Sequence, residues 1–498
     1  MSREVFYVTT PIYYPNAVPH IGHAYTTVFA DVLARYHRLL GHDVFYLTGT
    51  DEHGLKLQRT AEKLGKHPKE LVDEMSSMFK EYWRMLNISY DRFIRTTDPD
   101  HERVVREAMW RMYRDGLIYK ARYSGWYCVS CERFYAASEY EVVEGKPYCP
   151  IHRKPLEWLE EDTYYFRLSE FKDYLIDVLS GDVVHPKSYA TEILSKIRDE
   201  GLRDVSVARP KNRVWWGIEV PFDPNYTVYV WFDALLNYLT GIGFPDDEVR
   251  FRRYWPVTHH VIGKDILWFH TAIWFAMLEA LGIEPPRKVL VHAFLINKGL
   301  KIGKSAGNVV AIEDLISRYQ DSDGLRYVLM RIFNMAKDVD VTTELFDTIY
   351  NSELADTLGN LVRRVGVLAK KKLGGRVRET SVDEGLGRLM DETLEKYAKA
   401  MESFNPSEAL EVVMNLLREG NAYVNRTRPW ELSNPGRELY TLLEVVRVAV
   451  TLLSPVTPLA AERTAKALGF EIRNPFDAGR QGEYVITEAP ILFRKVKG

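Results

Sequence analysis

Residues 4–10 keep a two-residue rhythm, are rich in Val, Phe and Tyr, and read as a β-strand. After a loop marked by Pro11, Pro15 and Pro19 the rhythm changes. Over 20–40 the apolar positions Ala24, Val28, Phe29, Val32, Leu33, Tyr36 and Leu40 recur at helical spacing, and Gly41 supplies a natural stop. Residues 43–48 then form a second buried strand. Strand, helix and strand at this spacing predict a βαβ unit and a parallel sheet. The first turn carries no G-x-G-x-x-G, so it is not a dinucleotide fingerprint.

Helical periodicity returns over 55–64, 68–87 and 100–116, with Pro68 suited to a first helical position. The stretch 116–162 is irregular and holds every cysteine, and 164–220 mixes helix and strand. Residues 227–232, 259–263 and 288–296 read as further buried strands, with a helix running from Asp265 to Gly282. From about 344 to 468 nearly everything is helical, broken at Gly374-Gly375, Asn405-Pro406 and Asn434-Pro435-Gly436. The expected fold is therefore α/β: a doubly wound parallel, Rossmann-like domain split by a long insertion, followed by an α-helical bundle. The expected boundaries are 1–115 and 226–320 for the two halves, 116–225 for the insertion, 321–350 for a linker and 351–498 for the bundle.

At 498 residues the chain has room for about three domains of the usual ~150 residues. A content of 46% hydrophobic and 27% charged residues is ordinary for a globular enzyme. The formal net charge of -3 gives no global sign of a polyanionic partner, although a local patch suffices for one. No signal peptide is visible, and no run approaches the roughly 18 apolar residues of a membrane helix. The three cysteines, Cys128, Cys131 and Cys149, are an odd number without a secretion signal, which argues for a reducing, cytoplasmic setting.

All three fall into ligand spacing. Cys128-Val-Ser-Cys131 and Cys149-Pro-Ile-His152 are two chelating pairs, and a Cys3His set is a closed, structural zinc site. Three incidental thiols are the alternative. His20 and His23 flank Gly22 at the first strand-to-helix turn, where unpaired N–H groups and the helix dipole favour phosphate. They serve equally well as capping or packing residues. Asp51 follows the second strand, at the sheet edge where open α/β sheets bind ligands. It suits an ammonium group or, equally, a helix cap. Trp231, with Asp233 and Ala234, and Gly263 with Asp265 are expected at the same edge; Trp231 as core and Asp265 as an N-cap are the plain alternatives. Residues 363–378, "RRVGVLAKKKLGGRVR", hold seven basic residues and no acid, which reads as a solvated helix face or an RNA contact. "GLKIGKSAGN", residues 299–308, nearly spells a phosphate-binding P-loop, but its glycines are one residue too close and a turn follows the lysine.

With "PHIGH" after the first strand and "KIGKS" after the last, the chain resembles the class I aminoacyl-tRNA synthetases, whose two signatures read H-I-G-H and K-M-S-K-S. "VTTPIYYPNAVPHIGHAYT", "FYLTGTDEHG", "WGIEVPFD", "YVWFDALLNY" and "IGKDILWFH" narrow the resemblance to the methionyl-tRNA synthetase family. The resemblance implies that methionine is activated with ATP and Mg2+ and transferred to the terminal adenosine of tRNA(Met), initiator tRNA included. Catalysis is expected from His20, His23, Lys301 and Lys304, with Gly22, Gly263, Asp265 and Ser305 also at the nucleotide. Ile12, Tyr13, Trp231, Ala234, Leu235, Tyr238, Ile266, Phe269, His270 and Ile273 would surround L-methionine, with Asp51 on its amino group. Cys128, Cys131, Cys149 and His152 would hold one zinc ion in the connective insertion. Asn360, Arg364 and Trp430 match positions that read the anticodon, although Trp430 suits a packing anchor as well. A monomer is expected.

The chain departs from that pattern at Ile302 and Gly303, where Met and Ser are usual, at the start of "VHAFLINKG", and at Phe275. Gly303 loosens the loop and removes a hydroxyl, so a slower ATP step is expected. Three other readings remain open on sequence: a tRNA-binding paralogue without charging activity, a P-loop NTPase, and a synthetase for another apolar amino acid.

Overall fold

The computed structural model describes residues 3–129, 133–135, 139–151, 153–297, 299–302 and 311–497. Strand β1 (Val5–Tyr13) leads into helix α1 (Ile21–Leu39), and β2 (Asp43–Thr50) returns beside β1. Helices α2 (Leu55–Lys63) and α3 (Pro68–Met85) precede β3 (Arg92–Arg95), and α4 (Pro99–Arg114) follows it. The next stretch forms a separate antiparallel sheet from Ile118–Cys128, Arg133–Tyr135, Glu157–Phe166 and Val205–Ser206. It also contributes the short strand β4 (Val184–His185). Helix α5 (Val230–Leu235), β5 (Thr258–Gly263), α6 (Trp274–Ala280) and β6 (Lys288–His292) complete the α/β part of the chain.

The main sheet runs β3-β2-β1-β5-β6-β4, and every neighbouring pair is parallel. This is the expected doubly wound sheet. Its sixth strand comes from within the range 116–225, through the pairs Val289↔Val184 and Leu290↔His185. Parallel sheets are covered on both faces, so their strands are apolar on both sides. Phe6, Val8, Tyr46, Val261 and Leu290 enter one core, while Tyr7, Phe45, Leu47, Ile262, Val289 and Val291 enter the other. The first core is continuous with the helical half of the chain.

Two expected strands differ. Residues 227–232 were expected as one buried strand, but only Tyr226–Val228 is extended, pairing with Ala208–Pro210, and Val230 begins α5. A short run that is apolar after Thr227 carries no periodicity to separate strand from helix, and tertiary packing decides. Residues 288–296 divide into β6 and Leu295–Asn297, which pairs with Val339–Asp340 in a different sheet.

Beyond the sheet lie α7 (Ile312–Tyr319) and α8 (Ser322–Arg331), then a bundle of α9 (Asn360–Leu373), α10 (Glu384–Glu402), α11 (Pro406–Thr427), α12 (Gly436–Leu453) and α13 (Pro458–Leu468). The breaks fall where the sequence puts them. Gly374 takes a left-handed conformation at φ +63 to end α9, and the Asn405 side chain caps α11 by accepting the Glu408 N–H. Helix α12 is buried along most of its length and forms the bundle's centre. No helix among the described residues is long and apolar enough to cross a membrane.

Candidate active site

The topological switch of the sheet lies between β1 and β5, because the order proceeds from β1 to β2 on one side and from β5 to β6 on the other. Ligands of open α/β folds bind beyond the carboxyl ends of the strands at such a point. His20, Gly22 and His23 follow β1 there, and Gly263 and Asp265 follow β5.

His20 is the N-cap of α1. Its Nδ1 accepts the Gly22 N–H at 3.1 Å, and the His23 Nδ1 accepts the His20 N–H at 3.1 Å. With each Nδ1 acting as acceptor, the proton of each neutral ring is on Nε2. The two rings lie 3.9 Å apart. A Cβ at Gly22 would sit 2.8 Å from the His20 Cε1, so a side chain there would push the imidazole out of its capping position, a reason the sequence does not reveal. Imidazole N–H groups at the positive end of a 19-residue helix suit an anionic ligand.

Asp51 is buried on a rigid turn. Its N–H donates to Tyr13 O at 2.9 Å, and Gly54 N–H donates to Trp216 O at 3.0 Å. Between them the buried Glu52 carboxylate accepts from Thr50 Oγ1, Arg95 Nε and Thr97 Oγ1. The Trp216 Nε1–H reaches Glu52 O at 2.6 Å. Gly54 has φ +101, a left-handed value that lets α2 start directly after the turn.

The facing wall is apolar and aromatic. Trp231 on α5 stacks on Phe269 with centroids 3.8 Å apart and planes 10° from parallel. A π-helical turn, Phe269–Ile273, carries His270 inward ahead of α6. The His270 Nδ1 donates to Ile266 O at 3.0 Å, which leaves Nε2 as acceptor for the Tyr238 O–H at 2.7 Å. Burial lowers the His270 imidazole to a pKa of about 4, and burial raises the Tyr238 phenol, with Tyr13 and Asp51 adding to the rise. The pair is therefore neutral at physiological pH. Ala234, Leu235 and Ile273 are buried in this region, and Ile12 and Ile266 pack there half-buried. Tyr13 turns to the opposite face of β1, with its hydroxyl 2.8 Å from Thr27 Oγ1 and its ring edge-on to His23.

Leu300–Lys301 forms a hairpin with Leu295–Asn297, and Gly299 lies in its turn at φ +75. A P-loop instead connects a strand directly to a helix, so that reading falls. Ile302 is buried in the core beneath the hairpin. Lys301 is placed by its backbone alone, and Gly303, Lys304 and Ser305 lie outside the described residues.

Cys128 and Cys149 come together in a small core with Tyr135 and Leu156. Tyr135 Oη and Cys149 Sγ are 3.3 Å apart. The Cys149 turn is closed by Arg153 N–H donating to Cys149 O at 2.8 Å, with Arg153 left-handed at φ +49. Buried thiols are soft ligands of the kind zinc takes, and among the described residues no group of three or more His, Cys, Asp or Glu is placed to hold a metal. Cys131 and His152 lie outside the described residues.

In the bundle, Asn360 is exposed and one helical turn from Arg364. Arg364 lies 5.9 Å from the Trp430 ring centroid and donates to Asn425 Oδ1 at 2.9 Å. Trp430 is 41% exposed, which disfavours a pure packing anchor. Part of the basic run is committed elsewhere: Lys370 and Lys372 donate to the backbone oxygens of Thr487 and Leu432, and Arg376 pairs with Glu483.

Sequence reasoning missed His53, His101, Glu52 and Arg95 around the Asp51 turn, and Asn425 beside Trp430. The polar "DEHG" after a buried strand was the available signal.

Residues 6–155 and 138–366 match the family of class I tRNA synthetases (M), and residues 384–489 match the anticodon-binding domain of tRNA ligases. The methionine–tRNA ligase of Thermotoga maritima is 41% identical over 94% of this chain and 75% of its own length. That of Nostoc sp. is 41% identical over 95% and 91% respectively. The structure of Mycobacterium tuberculosis methionyl-tRNA synthetase in complex with methionyl-adenylate superimposes with a TM-score of 0.93 at 38% identity, covering 98% of this chain and 99% of that one. The apo form of the same synthetase gives 0.86 at 36% identity, covering 100% and 99%.

Proposed function

The chain belongs to the methionyl-tRNA synthetases of class I, and from that premise we propose how its own residues carry out methionine activation and tRNA charging. The observation that carries the reading is the neutral Tyr238–His270 pair inside an aromatic, apolar pocket. A charged group there would lose its water to an apolar thioether without a partner in return, and a purely aliphatic wall would separate methionine from leucine by only about 1–3 kcal/mol. Aromatic edges favour sulfur.

Methionine enters with its side chain against Trp231, Ala234, Leu235, Tyr238, Ile266, Phe269, His270 and Ile273, while Asp51 takes the ammonium. Ile12 flanks the pocket from β1, while Tyr13 stands behind it on the opposite face, against His23. The carboxylate is already a nucleophile, so no general base is needed. One of its oxygens attacks the α-phosphorus of ATP, a new O–P bond forms, and pyrophosphate leaves with the broken P–O bond. His20 and His23 donate through Nε2–H to the phosphate as charge builds, aided by the α1 dipole. Lys301 and Lys304 neutralise the phosphates from the opposite loop, with Gly22, Gly263, Asp265 and Ser305 around the nucleotide. Mg2+ shares the phosphate charge when ATP is bound. The 2′-hydroxyl of the terminal tRNA adenosine then attacks the adenylate carbonyl and AMP leaves. Asn360, Arg364 and Trp430 read the anticodon of tRNA(Met). Cys128, Cys131, Cys149 and His152 would hold one zinc ion, which would supply structure to the connective knuckle without touching substrate. The chain acts as a monomer in the cytoplasm.

The test is pyrophosphate–ATP exchange with each of the twenty amino acids, followed by charging of tRNA(Met). Exchange with methionine alone is expected. Exchange with another apolar amino acid would overturn the pocket assignment, and exchange with none would overturn the enzymatic reading.

A further inference from the structure

Behind the pocket, three separate elements meet on one carboxylate. Asp233 on α5 is wholly buried. Its Oδ2 accepts from His53 Nδ1–H at 2.6 Å, and its Oδ1 accepts from His101 Nε2–H at 2.7 Å. His53 stands on the turn after β2, and His101 stands in the first turns of α4. Burial opposes charge on His53, but the Asp233 carboxylate outweighs it and leaves the imidazole above its usual pKa. Burial likewise opposes the Asp233 charge, yet the two histidines hold its pKa below the ordinary carboxylate range. A buried charge is tolerated when charge-assisted hydrogen bonds occupy both oxygens, and that holds here.

The placement of these groups goes beyond packing. His53 is two residues after Asp51, and Asp233 lies between Trp231 and Ala234. Helix α5 is six residues long, has no side-chain N-cap, and is held by packing, in which Asp233 supplies its one buried charged anchor. We infer that His53, Asp233 and His101 are positioning residues that set the distance between the Asp51 carboxylate and the α5 wall, and hence the fit of a bound amino acid. The inference rests on the reading of this pocket as the methionine site. An amino acid gripped at its ammonium and at its side chain is sensitive to that span. ATP, on the far side at α1, is not.

The experiment measures methionine and ATP KM values by pyrophosphate exchange on the full chain for His53→Leu, His53→Asn, His101→Leu and His101→Gln. The asparagine amide replaces the Nδ1–H donor, and the glutamine amide replaces the Nε2–H donor. Each leucine variant is expected to raise the methionine KM at least tenfold with the ATP KM within twofold. Each amide variant is expected to restore the methionine KM to within threefold of the parent. Unchanged methionine KM values would overturn the inference, as would methionine and ATP values rising together with no rescue by the amides. If either leucine variant fails to fold, the other pair decides by the same criteria. A parent chain without methionine-dependent exchange would overturn the function itself and the inference with it. A parent that exchanges while its variants match it would overturn the inference alone.

Discussion

Arg326 and Asp31 form an ion pair at 2.8 Å from which water is wholly excluded, both side chains being 0% exposed. Asp31 lies in the middle of α1, the helix that His20 caps. The Arg326 guanidinium also donates to Leu86 O, Pro455 O and Val456 O, and so ties the end of α3 and the turn between α12 and α13 to α1. Removing Asp31 strands the buried Arg326 charge, which costs about 3–5 kcal/mol, whereas without Arg326 the Asp31 carboxylate keeps Arg35 as a second partner at 2.7 Å. Asp31→Asn is expected to lower unfolding stability by that amount in urea titrations, and Arg326→Met by less. The double variant is expected to lose less than the sum of the two. Additive losses would show that the pair is not coupled.

The pH dependence of stability has two opposing sources. His37, His259 and His270 are held by burial to pKa values of about 3, 4 and 4, against 6.5 when exposed. Between pH 6.5 and 4 the unfolded chain binds more protons at these sites, so stability falls as pH falls, by about 1.4 kcal/mol per pH unit for each fully titrating group. Asp323 acts the other way. Burial, with Asp321 adding to it, raises the Asp323 carboxyl to about 7, while the Ala460 N–H and Arg326 oppose the rise. The folded chain therefore binds more protons between pH 4 and 7, and stability is lost as pH rises through 7. Asp323→Asn keeps an oxygen for the Ala460 N–H and is expected to stabilise the chain at pH 8 by about 1–3 kcal/mol. Denaturation midpoints at pH 5.5 and 8 measure both effects. An unchanged midpoint at pH 8 in the variant would remove Asp323 from this account.

The βαβ start, the parallel sheet, the bundle and its breaks were all legible because periodicity and Gly, Pro and Asn signals agree at those places. Helix α5 was not, since "VYVWFDALL" is apolar but for Asp233 and offers no rhythm. The candidate residues His20, Asp51, Trp231 and His270 stand in short motifs that the sequence shows directly. The hydrogen bonds around them were not legible, because His53 and Asp233 stand 180 positions apart in sequence and only the folded sheet edge brings them together. At Gly22 the structure adds a reason that no motif shows: a Cβ there would meet the His20 imidazole.

Trp430 offers an exposed ring beside a guanidinium, the arrangement on which an unstacked base rests. Trp430→Ala is expected to raise the KM for tRNA(Met) about 10- to 100-fold, matching the ~1–3 kcal/mol of one base stack, with tRNA-free exchange unchanged. Loss of exchange in the variant would mean that the ring supports the fold and does not read RNA.

Metal analysis of the purified chain is expected to give one zinc per molecule, and Cys149→Ser is expected to lose it. Because Cys149 sits in a core of few residues, that variant is also expected to expose the knuckle to limited proteolysis while the main sheet persists. A chain that carries no zinc and resists the protease equally would refute the site.

Gly22→Ala separates catalysis from binding. Its Cβ would lie 2.8 Å from His20 Cε1 and 3.0 Å from His20 Nδ1, so the ring must swing away from the end of α1. The swing breaks the bond from Gly22 N–H to His20 Nδ1, a cap worth about 1 kcal/mol, which α1 survives because 13 of its residues are buried. The displaced Nε2–H no longer meets the phosphate, and a misplacement of about 1 Å costs on the order of 100-fold in rate. The expected outcome is a kcat for methionine-dependent exchange reduced roughly 100-fold with the methionine KM unchanged, since Asp51 and the Tyr238–His270 pair stand on other elements. A methionine KM that rises while kcat holds would place His20 with the amino acid and not with the phosphate.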